Sequence, residues 1–263
     1  MPPSAAPAAT ASDPRPMLAA TISPLVLSRD FADVREALAW VSRAGYRGVQ
    51  LSAAEPGMRP RDLSASARRD FAATLARHEL VCSGIDLFLP ASHLTDPQHA
   101  TRAFDAIEAA LEFAALLGRA PLTLPLGPRE ACELRAPIGA VAERLGVRVL
   151  LPTVEAAEVA ALAEPFAASV DCASVLAAGA RPEELVARCG AHLGGVRIVD
   201  LWRSGLRGPI GEPRESRLDA LALRVAVETA GFRGLSLMDA RQWLQPRQGL
   251  EQALERWNGL FSR

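Results

Sequence analysis

Four carboxylates close short apolar runs in this 263-residue chain: Asp86 after Gly84-Ile85, Asp171 after Ser169-Val170, Asp200 after Ile198-Val199 and Asp239 after Leu237-Met238. A carboxylate at the end of a buried run can hold a cation, accept a proton or bind a hydroxyl. Asp171 has two readings, a group on a functional rim or a cap on the next turn. Asp239 also has two, a site group or half of a local ion pair with Arg241. Arg197 lies inside an apolar run, so an inward-facing guanidinium there needs carboxylate partners, and Asp171 and Asp239 are the candidates. Arg203 can grip a phosphate or carboxylate with two parallel hydrogen bonds, or stand in solvent. His93, in the long stretch after the third run, is a candidate base or a hydrogen-bonded structural imidazole. Trp202 and Trp243 offer aromatic faces on which a ligand can stack, and they serve equally as loop anchors.

The elements that must position these groups alternate. Apolar runs at Leu18–Ile22, Tyr46–Leu51, Leu80–Phe88, Pro121–Leu126, Val147–Leu151, Ala168–Asp171, Val196–Leu201 and Leu235–Met238 read as buried strands. Between and after them lie segments of helical periodicity: Phe31–Arg43, Ser64–His78, Pro97–Leu117, Ala131–Leu145, Ala156–Ala163, Pro182–Cys189, Leu218–Ala230 and Gln248–Leu260. Gly45, Gly118, Gly146 and Gly231 stand where helix stops are needed. Eight strand-then-helix units predict an α/β fold, a single closed (β/α)8 barrel spanning residues 17–263. A doubly wound open sheet is the competing topology. It would carry a glycine-rich phosphate turn after its first strand, where this chain reads Ser23-Pro24-Leu25-Val26. The segment Ala44-Gly45-Tyr46-Arg47-Gly48-Val49-Gln50-Leu51 recurs as Ala230-Gly231-Phe232-Arg233-Gly234-Leu235-Ser236-Leu237, which fits a repeat-built barrel.

Composition closes off several chemistries. The chain contains no lysine, so Schiff-base catalysis and a P-loop are excluded. A net charge of −1 gives no field for nucleic acid or an anionic membrane, and no stretch is long and apolar enough to span one. Cys82, Cys132, Cys172 and Cys189 are too scattered for a zinc or redox pair and read as buried thiols of a reducing, cytoplasmic setting. Residues 1–16 are rich in Ala and Pro and lack the basic and apolar regions of a signal peptide, so they read as a disordered tail. No Ser or Cys sits in a nucleophile-elbow pattern.

The ordered motifs together resemble the xylose-isomerase-like sugar phosphate isomerase/epimerase family. AGYRGVQLS resembles its second-strand signature, in which Gln50 stands at a Glu position and keeps an amide able to bind a sugar hydroxyl. GFRGLSLMD resembles its eighth strand, HATRAFDAIEAALEFAALLGRAPLTLPLG its third helix and fourth strand, and GPIGEPRESRLD its loop before the seventh helix. VRIVDLW stands at the family's Val-His-x-x-Asp strand, which makes Asp200 its second acidic residue. The resemblance implies a small-molecule carbohydrate as partner, bound at the C-terminal mouth of the barrel, and isomerase or epimerase chemistry. It also implies one divalent metal (Mn, Mg or Zn) held by Glu, Asp, His and Glu on strands five to eight. Those positions here read Pro152, Asp171, Arg197 and Asp239, and Ser174 replaces a substrate-binding His. Proline has no ligating group and a guanidinium stays protonated. Asp171 and Asp239 are therefore the metal ligands that remain, for a metal weakly bound or lost, and Arg197 is the group that can replace its charge. Asp171, Asp239 and His93 are the catalytic candidates; Arg197, Asp200, Arg203, Gln50, Asp86 and Trp202 are the substrate-binding ones. The alternative is a barrel without catalysis that binds carbohydrate or serves as a scaffold. The family's nuclease branch needs a His- and Glu-rich three-zinc site, which four scattered histidines do not supply.

Overall fold

The computed structural model describes residues 18–22, 30–90, 92–126 and 128–260. The Ala/Pro-rich segment 1–16, the loop Ser23–Val26 and the side chain of Cys132 lie outside them. The barrel strands are β1 (Leu18–Thr21), β2 (Gly48–Ser52), β3 (Val81–Asp86), β4 (Leu122–Thr123), β5 (Val149–Pro152), β6 (Phe166–Asp171), β7 (Leu193–Ile198) and β10 (Ser236–Met238). They pair in parallel and close in the order β1-β10-β7-β6-β5-β4-β3-β2, as expected of a (β/α)8 barrel. The helices are α1 (Val34–Ala44), α2 (Ala65–Arg77), α3 (Ser92–Thr95), α4 (Pro97–Leu116), α5 (Pro128–Leu145), α6 (Ala156–Val159), α7 (Cys172–Ala177), α8 (Pro182–Cys189), α9 (Ala220–Thr229) and α10 (Pro246–Gly259). Among the described residues no helix is long and apolar enough to cross a membrane.

Local chemistry sets the helix ends. Asp33, Ser64, Asp96, Asp171 and Asp219 each accept a hydrogen bond from a first-turn amide, satisfying a donor the helix cannot. Gly45 ends α1 at φ 101, a left-handed conformation that costs a residue with a Cβ about 1 kcal/mol or more.

Register decides which side chains enter the barrel. Pairing places Thr21 beside Gln50, Ser52 beside Asp86, Asp86 beside Thr123, Pro152 beside Ser169, and Asp171 beside Arg197. Paired residues share a face. The interior is thus apolar and small below, with Ala19, Leu150, Ala167 and Leu237, and polar above. A polar upper layer must be satisfied internally, and that requirement builds the site.

Several elements differ from the sequence expectation: β4 is only Leu122–Thr123 and a short helix, α3, stands in the stretch read as a loop after the third strand. Helix α6 is a single turn rather than Ala156–Ala163. Helix α7 follows β6 directly, because Asp171 caps it. The seventh strand ends at Ile198; Asp200–Leu201 (β8) leaves the barrel and pairs antiparallel with Arg207–Gly208 (β9). The departure follows from the fully buried Asp200 carboxylate, which accepts bonds from Ser216 Oγ and the amides of Arg217 and Leu218. Of the thiols described, Cys172 and Cys189 are buried and Cys82 is half-buried; all are unpaired. Burial pushes Cys82 up to about 12 and Cys189 to about 11, which keeps them protonated and unreactive.

The repeated Arg-Gly step has a steric cause. A Cβ on Gly48 would lie 2.3 Å from Leu235 Cδ1 and 2.8 Å from the Val81 carbonyl, and one on Gly234 would meet the Phe232 ring at 2.6 Å. Gly48→Ala should therefore lower stability by about 1–3 kcal/mol through overpacking, read as an earlier urea midpoint with an unchanged slope. An unchanged midpoint would show that β2 and β3 separate easily.

Candidate functional site at the barrel mouth

The C-terminal end of the barrel is filled by alternating charges. The Arg197 guanidinium, 5% exposed, donates both terminal nitrogens to Asp86, with one bond at 3.1 Å and a shorter one from Nη2. It also reaches Asp239 at 3.0 Å and Thr123 Oγ1 at 3.2 Å. Arg241, two residues beyond Asp239 on the same side of the chain, closes over the pair. Its Nε donates to Asp239 at 2.8 and 3.1 Å, its Nη2 contacts the same carboxylate, and its Nη1 lies 3.3 Å from Asp86.

Neutral groups complete the satisfaction. Gln50 donates its amide to Asp86 at 2.9 Å and is oriented by Ser83, whose hydroxyl donates to the Gln50 carbonyl. Thr21 donates to the Met238 carbonyl at 3.0 Å and lies 3.3 Å from Asp239. Phe88 roofs the cluster, its ring 4.6 Å from the Arg241 guanidinium and 5.8 Å from that of Arg197, so cation–π attraction adds to the ion pairs.

Electrostatics fix the protonation states. Burial pushes Arg197 toward the neutral form, but Asp86 and Asp239 outweigh it and raise its pKa, so the guanidinium stays charged. Burial likewise pushes Asp239 up; hydrogen bonds from Arg241 and the charges of Arg197 and Arg241 reverse this and hold it well below the usual carboxylate range.

Above this cluster lies an open mouth of about 540 Å³, lined by Phe88, Pro152, Asp171, Arg207, Arg241 and Gln242 among others. Asp171 does not pair with Arg197 as the sequence suggests. It is turned to Arg207 on β9 and to the amide of Ser174 at 2.9 Å, so the hairpin strand supplies its counter-charge. Asp171 lines the mouth and caps α7 at once.

The remaining candidates separate by position. Asp86, Gln50, Arg197 and Asp239 converge, and Asp171 stands at the mouth beside them. Asp200 is spent on holding the segment before α9. Trp202 donates its indole N–H to the Pro209 carbonyl at 3.3 Å and packs under Gly208, which makes it the hairpin's anchor. Arg203 is exposed on the hairpin, and its amide donates to the Glu215 carbonyl at 2.9 Å. His93 is not in an open loop; it sits in α3, its ring 4.8 Å from that of His99, away from the mouth. Trp243 is buried with its indole nitrogen unbonded. Sequence reasoning passed over Phe88 and Arg207 and treated Arg241 only as a local partner. The spacing Asp86-x-Phe88 and Asp239-x-Arg241, two residues along an extended chain, is the signal that places each second residue over the first.

The donor set does not fit a divalent metal. Pro152 ends β5 with no ligating atom, and Arg197 and Arg207 put fixed positive charges on Asp239 and Asp171, the two carboxylates a metal would use. Glu158, the nearest substitute acid, accepts from the amides of Val154 and Glu155 at 3.1 and 3.3 Å, so it belongs to the start of α6. Among the described residues no group of three His, Cys, Asp or Glu could hold an ion.

Removing the Asp239 charge leaves two guanidiniums, buried Arg197 and half-buried Arg241, sharing the single carboxylate of Asp86. Asp239→Asn should lose about 3–5 kcal/mol at pH 7. Because the folded-state pKa is depressed, the contribution is complete above the ordinary carboxylate pKa of about 4 and is lost as pH falls through the folded value. The wild-type advantage in urea unfolding should therefore shrink between about pH 4 and pH 2. An advantage unchanged over that range would mean Asp239 is not clamped.

Known proteins agree with this architecture. Among solved structures, D-allulose 3-epimerase from Methylomonas sp. superposes with a TM-score of 0.72 at 15% identity, covering 94% of this chain and 98% of that one. The 3-keto-D-glucoside 4-epimerase from E. coli gives 0.72 at 14% identity, covering 92% and 99%. A probable 3-DHS dehydratase from Bacillus anthracis gives 0.72 at 11%, covering 91% and 97%, so the same barrel hosts different chemistry. No curated protein sequence matches. A family model described as "Xylose isomerase-like TIM barrel" matches residues 38–258, and the chain belongs to that family.

Proposed function

We propose that this chain binds a small sugar, polyol or sugar phosphate at the C-terminal mouth of its barrel without a divalent metal, the Arg197 guanidinium standing in for the cation. The carrying observation is the seat of Arg197 between Asp86 and Asp239, with Arg241 closing over the same carboxylates. A metal polarises a carbonyl and its neighbouring hydroxyl through an exchangeable coordination sphere. The terminal nitrogens of Arg197 are taken by Asp86, Asp239 and Thr123, so it supplies fixed charge from below, while the planar guanidinium of Arg207 at the rim is the donor suited to hydroxyls, a carbonyl oxygen or a phosphate.

The rest of the mouth supports the same ligand class. Arg207 and Asp171, both partly exposed, present a donor and an acceptor to adjacent hydroxyls, and the Phe88 ring offers an apolar face. A cavity of about 540 Å³ suits a monosaccharide or its phosphate. Binding fits the carboxylates better than turnover. A base that moves a proton between sugar carbons needs a pKa near the working pH, and Asp239 is held far below it.

Calorimetric titration with a panel of ketoses, aldoses and their phosphates tests this directly. Saturable binding should appear for at least one member, unchanged by EDTA or by added Mn or Mg. Arg207→Gln should weaken it about tenfold, the loss of one charge-assisted hydrogen bond. Binding or isomerisation that requires added metal would overturn the proposal.

A further inference from the structure

We infer that the same face of the barrel carries a second site, separate from the mouth, that takes a phosphate monoester. The extension of β3 sorts its side chains to two sides. Asp86 and Phe88 face the mouth, while Leu87 and Leu89 turn away and wall a different cavity of about 300 Å³. That cavity lies between the loop after β2, the β3 extension and the first turns of α4.

Its polar lining is cationic. Arg59, Arg61 and Arg102 line it, with the His93 and His99 rings 4.8 Å apart and tilted at 39°. Compensation is thin. Among the described residues Arg61 reaches only Asp62, at 3.8 Å and half-exposed, and His99 lies 3.8 Å from Asp96. Arg59 is steadied by donating Nε to the Ala54 carbonyl at 2.9 Å. Among the described residues neither Arg59 nor Arg102 pairs with a carboxylate. Three arginines lining one concavity give it a positive potential that favours an anion, and a concave, low-dielectric wall strengthens the attraction.

Phosphate matches this arrangement better than a carboxylate, because a dianion with three acceptor oxygens can engage several guanidiniums at once. The floor defines the rest of the ligand. On α4, His99, Arg102, Ala103 and Ala106 follow one another at helical spacing, and the two alanines leave room above an apolar surface completed by Leu87 and Leu89. A compact apolar or weakly polar body esterified to the phosphate fits there.

Histidine ring resonances provide the test, since the chain has four histidines and two lie at the site. Full-length protein is titrated with inorganic phosphate and with butyl phosphate. Saturable shifts of His93 and His99 are expected, with His78 and His192 as unmoved controls, and butyl phosphate should bind tighter than inorganic phosphate. Arg102→Gln, an exposed position that should fold normally, should weaken binding about tenfold. Arg207→Gln at the mouth should leave these shifts unchanged, so the outcome is independent of sugar binding there. Equal movement of all four histidines, no effect of Arg102→Gln, or loss of the response in Arg207→Gln would each overturn the site.

Discussion

The buried guanidinium of Arg197, held between Asp86 and Asp239, is the interaction on which the upper half of this barrel depends. Its register inside β7 forces the side chain into the interior, where an unpaired charge would be prohibitive. Two strands far apart in sequence, β3 and β10, must therefore each end in a carboxylate at the same height. Thr123, Gln50 and Thr21 occupy the neighbouring strands as the hydrogen-bonding groups that such a cluster needs.

This arrangement changes what the fold can do. In a metal-dependent barrel the cation is exchangeable and its ligands remain free to reorganise around substrate. Here the positive charge is covalently attached and geometrically fixed, and Arg241 tightens the same two carboxylates from above. A carboxylate held between two guanidiniums has little freedom to accept and return a proton. The hairpin β8–β9 belongs to the same logic. It brings Arg207 to Asp171, so the third acidic group of the mouth is also paired, and Asp200 and Trp202 fasten the hairpin at its base.

Much of the fold was legible in sequence because burial on both faces of a parallel strand leaves an unmistakable apolar run, and several helices announce an end by a glycine or a cap. The eight strands could be read that way, whereas Arg197 could equally have faced outward from its apolar run. Nor could the partner choice be read. Asp86 and Asp171 are both carboxylates at strand ends, and only the three-dimensional reach of β9 decides that Asp171 goes to Arg207 while Asp86 takes Arg197. The turn-forming segment after β7 was hidden for a similar reason: its apolar letters continue the strand pattern, and the break comes from donors at Ser216 to Leu218, contributed by a later loop. His93 was misplaced because a four-residue helix has too little periodicity to register.

The central claim, a fixed guanidinium in the place of a cation, is tested most directly by crystals soaked in Mn and measured at the Mn absorption edge. The account predicts no anomalous peak at the mouth and Arg197 still bonded to Asp86 and Asp239. A Mn ion bound by Asp171 and Asp239, with Arg197 swung away, would contradict it.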